Sequence, residues 1–517
     1  MSRTISAKVE NLRLAFPGED SLLFKGLSLS FFSGEKVLLL GPSGCGKSTL
    51  LQVLSGIIPN SVEVPMKTDS IHVPEKSAYV FQDPDMQFCM PYADEELAFV
   101  LENLAVPKER MDGEIRSLLN RVGLQDVEPH TPISVFSQGM KQRLAVASAM
   151  ALEPEVLFLD EPTALLDPEG TTQVWDTIKR TAEHRTVIIV EHKIDEIIEF
   201  VDRIVLFSPH GEVIADGGPQ KVFLEHREQL MQYGIWYPGV WEDYWLRRVS
   251  PQPVSGKFTQ QNREESGREI LELKDFSGRR GKRELIRVEH AAVNPAEWVC
   301  ITGVNGAGKS SLLLSVMNLL RTEGVCLLSG MPRGKTEHAA KYAGYVFQNP
   351  ELQFLTNSVE EEIAYSLEAD GAERSERERK TEALLERFGL KVHRGQHPFQ
   401  LSTGQKRRLS VATALVREPQ LLLLDEPTFG QDAKNTFALL ETLEGLRQGG
   451  TAILMITHDP EIVRRFATRV WLVQEGKLAA DVTPDAYQLL LEEERRDGGA
   501  AQLPAQGNVA SQGQSEH

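Results

Sequence analysis

The chain has 517 residues, of which 41% are apolar, 25% charged and 7% aromatic. That is the composition of soluble globular domains, with room for roughly two to four of them, each burying its own core. A formal charge of −18 argues against a sequence-independent grip on nucleic acid, which needs basic surface. No apolar run approaches the roughly 18 residues of a membrane-spanning helix, and the opening MSRTISAKVENL has no apolar signal core. If the protein works at a membrane, other chains do the spanning. The four cysteines are scattered with no CxxC pair, so neither a disulfide framework nor a zinc site is expected, and a reducing cytosol is the default.

The first half opens with short apolar, strand-like runs and then a Gly-rich turn into a helix, GPSGCGKST from Gly41. In such a turn Gly41, Gly44 and Gly46 let backbone N–H groups wrap phosphates, and the helix N-terminus adds a favourable dipole. Lys47 would reach the β- and γ-phosphates, and Ser48, followed by Thr49, would offer its hydroxyl to Mg²⁺. YVFQDPDMQF follows from Tyr79, where Gln82 is placed to touch both the metal shell and the neighbouring helical region. A helical, polar stretch runs from about 94 to 135. It leads to FSQGM from Phe136, then to VLFLDEPT from Val156 and VIIVEH from Val187. Asp160 ends an apolar strand, where a carboxylate holds Mg²⁺ through water. Glu161 is next, placed to polarise an attacking water, and His192 follows another strand within reach of a γ-phosphate. Strands alternating with helices point to a parallel α/β sheet.

From about 226 to 268 this order lapses. YGIWYPGVWEDYW packs Trp236, Trp241 and Trp245 into ten residues, and PQPVSGKFTQQNREESG is linker-like. The aromatic run reads either as a small cluster packing the end of the first domain or as a partner-docking patch.

The chain is then written again. GVNGAGKSS from Gly303 supplies Gly306, Gly308, Lys309, Ser310 and Ser311, and YVFQNPELQF supplies Gln348. A helical, polar stretch runs from about 359 to 399, its ERSERERK being a solvated helix face. LSTGQ, LLLLDEPT with Asp425 and Glu426, and ILMITH with His458 complete the set. The offset is 262 from Lys47 to Lys309, 266 from Gln82 to Gln348 and 265 from Asp160 to Asp425. Five motifs in one order at near-constant offset mean duplicated domains rather than a solenoid. The end, DGGAAQLPAQGNVASQGQSEH, is low in complexity and is expected to be disordered.

This set resembles the nucleotide-binding domain of ABC ATPases over about nine-tenths of the chain. The resemblance implies an α/β fold of two tandem P-loop NTPase domains. Each would hold a mainly parallel sheet, an antiparallel N-terminal subdomain and a helical subdomain, spanning 1–225 and 268–493, with a linker at 226–267 and a tail at 494–517. FSQGM and LSTGQ then look like the family signature, usually LSGGQ. In the family two domains pair head to tail, with each ATP between the phosphate loop of one and the signature of the other. That implies one site of Lys47, Ser48, Gln82, Asp160, Glu161 and His192 with Ser402, Gly404 and Gln405. The other would join Lys309, Ser310, Gln348, Asp425, Glu426 and His458 with Ser137 and Gly139. The second site receives the drifted signature, where Gln138 and Met140 replace the usual Gly and Gln. Phe16 fits the adenine-stacking aromatic in the first half, whereas the second offers Arg280, a less adenine-selective surface. The first site is therefore expected to hydrolyse faster. ATP and Mg²⁺ are the implied cofactors, and Gln82, Gln348, the two serines and the two aspartates are the implied metal set.

The segment after each sensing Gln, Q-x-P-[DE]-x-Q-F followed by an acidic helix, resembles the ATPases of energy-coupling-factor importers. In that family this surface receives coupling helices of a transmembrane subunit, while a separate small membrane protein captures the substrate. The implied place is peripheral, on the cytoplasmic face of the membrane, with no nucleic acid partner. Within the family the chain looks most like the type assigned to hydroxymethylpyrimidine or thiamine, with cobalt, nickel, biotin and other vitamins open. The alternative is a soluble twin-cassette ATPase acting on ribosomes or nucleic acid. Its usual charged helical linker and zinc-binding cysteine pairs are not found here.

Overall fold

A computed structural model of the chain describes residues 4–17, 21–164, 166–248 and 269–496. The linker-like stretch from 249 to 268 and the tail from 497 lie outside the described residues. The chain divides into two compact units: Met1–Pro251 with Phe399–Arg408 and Thr428–Thr442, and Gln252–Pro398 with Leu409–Pro427 and Leu443–His517.

In the first unit the strands Ile5–Leu14 and Phe24–Phe32 pair antiparallel, with Met66–Lys67 and Ser70–His72 on the outer edge of the first. Ala7, Val9, Leu12, Leu14, Phe24 and Phe31 are fully buried, alternating along the strands as a half-covered sheet requires. A second, six-stranded sheet runs in the order Val213–Gly217, Arg203–Phe207, Lys36–Leu40, Thr186–Val190, Val156–Asp160, Ser77–Val80. Its inner pairs are parallel and only the Val213–Gly217 edge is antiparallel. Val156–Leu159 and Val187–Val190 are almost wholly buried, the continuous apolar run of a parallel strand covered on both faces. The chain leaves the carboxyl ends of Lys36–Leu40, Ser77–Val80, Val156–Asp160 and Thr186–Val190 into the four loops of interest. Doubly wound sheets gather ligands at that end.

The polar stretch forms helices Ala93–Asn103 and Lys108–Arg121. The aromatic run closes on segment Thr428–Thr442 of the same unit. The Trp236 indole N–H donates to the Gln431 carbonyl at 2.9 Å, and Tyr244 stacks on Phe437 with centroids 4.0 Å apart. Trp241 meets Phe437 edge-on at 4.9 Å.

The second unit repeats the plan with its layers joined. Ten strands run in the order Met331–Pro332, Arg321–Leu328, Leu271–Arg280, Arg283–Val293, Lys477–Val482, Arg469–Gln474, Trp298–Thr302, Ala452–Ile456, Leu421–Asp425, Ala343–Val346. The antiparallel layer meets the parallel one where Arg287 pairs with Lys477. Residues Arg374–Arg387, which include ERSERERK, form a helix that buries little beyond Thr381 and Leu385. No helix among the described residues is long and apolar enough to cross a membrane.

Candidate nucleotide sites

Each phosphate loop turns directly from a central strand into a helix, Lys47–Leu54 or Lys309–Val316, through a glycine in left-handed backbone, Gly46 at φ 98° and Gly308 at φ 108°. Glycine is needed at both places. A Cβ on Gly46 would lie 2.7 Å from Phe24 Cζ, and one on Gly308 would lie 2.6 Å from the Leu285 carbonyl. Lys47 is buried and donates to the carbonyls of Gly41 at 2.7 Å and Pro42 at 3.0 Å. Lys309 makes the same pair of bonds to Gly303 and Val304. Thr49 and Ser311 sit in the first turn of the two helices.

The first unit gathers the other predicted residues around Asp160. Ser48 Oγ donates to Asp160 Oδ1 at 2.7 Å, and Tyr79 O–H donates to Oδ2, also at 2.7 Å. Burial raises the Asp160 carboxyl above its ordinary range against these two hydroxyls. Glu161 accepts from the Gln82 amide at 2.7 Å, and His192 Nε2 lies 2.9 Å from its other oxygen. Burial would raise Glu161, but the His192 imidazole outweighs it and holds the carboxyl below its ordinary range. Burial likewise works against a charged His192, and Glu161 overrides it upward. Phe16 lies 39% exposed in the loop after Ile5–Leu14.

The second unit has the same parts, with two of the pairs at longer range. Tyr345 O–H is 3.3 Å from Asp425 Oδ2, and His458 Nε2 is 3.4 Å from Glu426 Oε1. Asp425 Oδ1 is buried with no hydrogen-bond partner. Burial raises this carboxyl too, with Ser310 close enough to favour the charged form. Glu426 is lowered, His458 again outweighing burial, with help from Gln348. A hydroxyl and a buried carboxylate side by side, one oxygen unpaired in the second copy, fit a hard divalent cation, which takes oxygen ligands. Arg280 ends the exposed tip of strand Leu271–Arg280.

The two signature stretches differ physically at their helix starts. Ser402 Oγ accepts the Gln405 N–H at 3.4 Å while the Gln405 side chain accepts the Ser402 N–H at 2.8 Å, a reciprocal capping box. Ser137 caps its helix in the same way, accepting the Met140 N–H at 3.3 Å, but the Met140 thioether returns nothing. Gly404 is held close to the next helix, where an added Cβ would meet the Asn435 amide at 3.0 Å; on Gly139 it would meet only Gly170 Cα at 3.6 Å.

Two features were not assigned from sequence. Tyr79 and Tyr345 orient the two aspartates, and their signal was a tyrosine three residues before each sensing Gln. The acidic helix after that Gln turns one carboxylate inward. Glu96, 3% exposed, accepts the N–H groups of Cys89 and Met90 at 2.8 and 2.9 Å, and Glu362 does the same for Leu355 and Thr356. Gln87 donates to the Ala145 carbonyl and Gln353 to that of Ser410. The loop so pinned presents Met86 at 79% exposure in one copy, and Leu352 and Leu355 at 71% in the other.

The sequence matches the ABC transporter family at residues 24–164 and again at 289–429, together more than half of the chain. It is 35% identical to the "Putative HMP/thiamine import ATP-binding protein YkoD" of Bacillus subtilis, over 92% of this chain and 91% of that protein. A "Putative ABC transporter ATP-binding protein" of Methanosarcina mazei is 32% identical over 96% and 92%, and one of Enterococcus faecalis 33% identical over 92% and 90%. The chain therefore belongs to the ABC transporter family, as an ATP-binding protein with two ABC domains and an ATPase coupled to transport.

Proposed function

We propose that this chain is the energy-coupling subunit of a membrane importer for a vitamin or vitamin precursor, with hydroxymethylpyrimidine and thiamine the first substrates to test. It would sit on the cytoplasmic face of the membrane against a transmembrane coupling subunit, with a separate small membrane protein holding the substrate. The observation that carries this reading is the pinned loop after each sensing Gln. It holds Met86, Leu352 and Leu355 out to solvent at fixed positions, a short sequence distance from Gln82 and Gln348. Apolar knobs on a braced loop suit docking of a helix from a membrane partner. The name of the Bacillus subtilis relative supports the substrate class.

In the mechanism we propose, Lys47 and Lys309 bind the β- and γ-phosphates, and the glycine turns wrap them with backbone N–H groups. Ser48 with Asp160, and Ser310 with Asp425, would hold Mg²⁺, which when bound neutralises phosphate charge. Glu161 stays ionised, as its lowered pKa requires, and accepts a proton from water held near the γ-phosphate. His192 fixes that carboxylate through one oxygen and Gln82 through the other. Movement of the Gln82 loop by a docked partner would therefore release one oxygen of Glu161, linking transport state to hydrolysis. Glu426, His458 and Gln348 play these parts in the second domain. Each ATP would be completed by the opposite domain's signature: Ser402, Gly404 and Gln405 for the first site, Ser137 and Gly139 for the second.

The test is to tag the chain in its host, solubilise membranes in mild detergent and identify what copurifies. Two small multi-spanning membrane proteins are expected, the smaller binding labelled vitamin. Ribosomes, or a chain with no membrane partner, would instead favour a soluble twin-cassette machine and overturn the importer reading.

A further inference from the structure

The Glu161 and His192 loops of the first unit are joined at three points, one of which runs through Glu191, the residue before His192. The Glu161 N–H donates to the Val190 carbonyl at 2.8 Å, and His192 Nε2 lies 2.9 Å from Glu161 Oε1. Between them, Glu191 Oε2 accepts the Thr163 hydroxyl at 2.7 Å and Oε1 accepts the backbone N–H of His192 at 2.9 Å. Glu191 is only 3% exposed and Thr163 6%, and one carboxyl oxygen reaches across to the Glu161 loop while the other caps its own. The second domain has Thr457 at the same place. Its hydroxyl accepts the Asp459 N–H at 3.1 Å, within its own loop. The two remaining links there are both longer, 3.2 Å from Glu426 N–H to the Ile456 carbonyl and 3.4 Å between His458 and Glu426.

We propose that Glu191 is a positioning residue for ATP hydrolysis at the first site, its carboxylate fixing the His192 loop to the Glu161 loop so that the imidazole meets the acid at hydrogen-bond distance. Two hydrogen bonds to one buried side chain fix its direction whatever its charge, and catalytic groups misplaced by about 1 Å lose rate. The two domains then differ in how tightly their acid is held, independently of the drift in the signature. This inference rests on reading Glu161 as the group that takes the proton from water.

The test uses the full chain carrying Glu426→Gln, so that turnover reports the first site. In that background Glu191→Thr, which copies the second domain, is expected to lower kcat about tenfold while KM for ATP stays within about twofold. Glu191→Gln, which keeps an oxygen for the Thr163 hydroxyl, should recover to within about threefold of the parent. The reciprocal Thr457→Glu, in a chain carrying Glu161→Gln, should raise second-site kcat, and this gain guards against a Glu191 variant that simply fails to fold. Unchanged kcat in Glu191→Thr, or a lowered melting temperature with unchanged kcat, would assign Glu191 to stability alone and overturn the proposal. If Glu161→Gln added to Glu426→Gln leaves turnover intact, the role given to Glu161 has failed instead.

Discussion

Glu161 and Glu426 both sit in left-handed backbone at φ 47°, a region glutamate avoids at a cost of order 1 kcal/mol. Each is held there by its own N–H on the neighbouring strand, so that the carboxylate points across the sheet's end rather than along the chain. Glu191 makes the residue scale measurable. Burial raises its carboxyl from 4.5 to about 7, against the Thr163 hydroxyl and the His192 N–H, with Glu161 pushing the same way as burial and His192 opposing. The fold therefore keeps a proton that the unfolded chain releases. The stability this proton contributes is complete below about pH 4.5 and is lost as pH rises through about 7, in total about 3 kcal/mol. Glu191→Gln has nothing to titrate there. Its melting temperature minus that of the parent should climb by about 5 °C or more from pH 5 to pH 8, measured by calorimetry. A flat difference would mean that Glu191 ionises in its ordinary range.

At the scale of elements, the two signature copies differ at their helix starts. In Gln138–Ala151 the cap is one-sided, because Met140 stands where Gln405 closes the box. Met140→Gln should stabilise the chain by about 0.5–1 kcal/mol in urea titrations and, if the second ATP meets this signature, raise turnover in a Glu161→Gln chain. Stabilisation without that gain would confine the drift to folding. What sequence made legible follows the same division. The strand-to-turn-to-helix loops and the Asp-Glu pairs are read locally, because spacing alone sets a glycine turn or a carboxylate at a strand end. The Glu191–Thr163 bridge spans 28 residues and was not legible, nor was the inward turn of Glu96, read only as one residue of the acidic helix after the sensing Gln. Trp236, Trp241 and Trp245 could be read as a cluster, but not as one in which Trp236 and Trp241 close on Phe437, since nothing local links residues so far apart in the chain.

Over the whole molecule, duplication supplies each part twice and lets the copies diverge. The first unit holds its tyrosine–aspartate and histidine–glutamate pairs at 2.7 and 2.9 Å, the second at 3.3 and 3.4 Å. Both keep the exposed apolar loop after the sensing Gln. Met86→Asp together with Leu352→Asp should leave the melting temperature within about 1 °C, since both side chains lie in solvent, yet abolish copurification of membrane proteins. Retained copurification would move the docking surface elsewhere. The central claim is that one chain carries two inequivalent ATP sites. Steady-state ATPase of Glu161→Gln and Glu426→Gln, measured side by side in the full chain, tests it most directly. The account predicts a loss at least about fivefold greater for Glu161→Gln, and equal losses would contradict it.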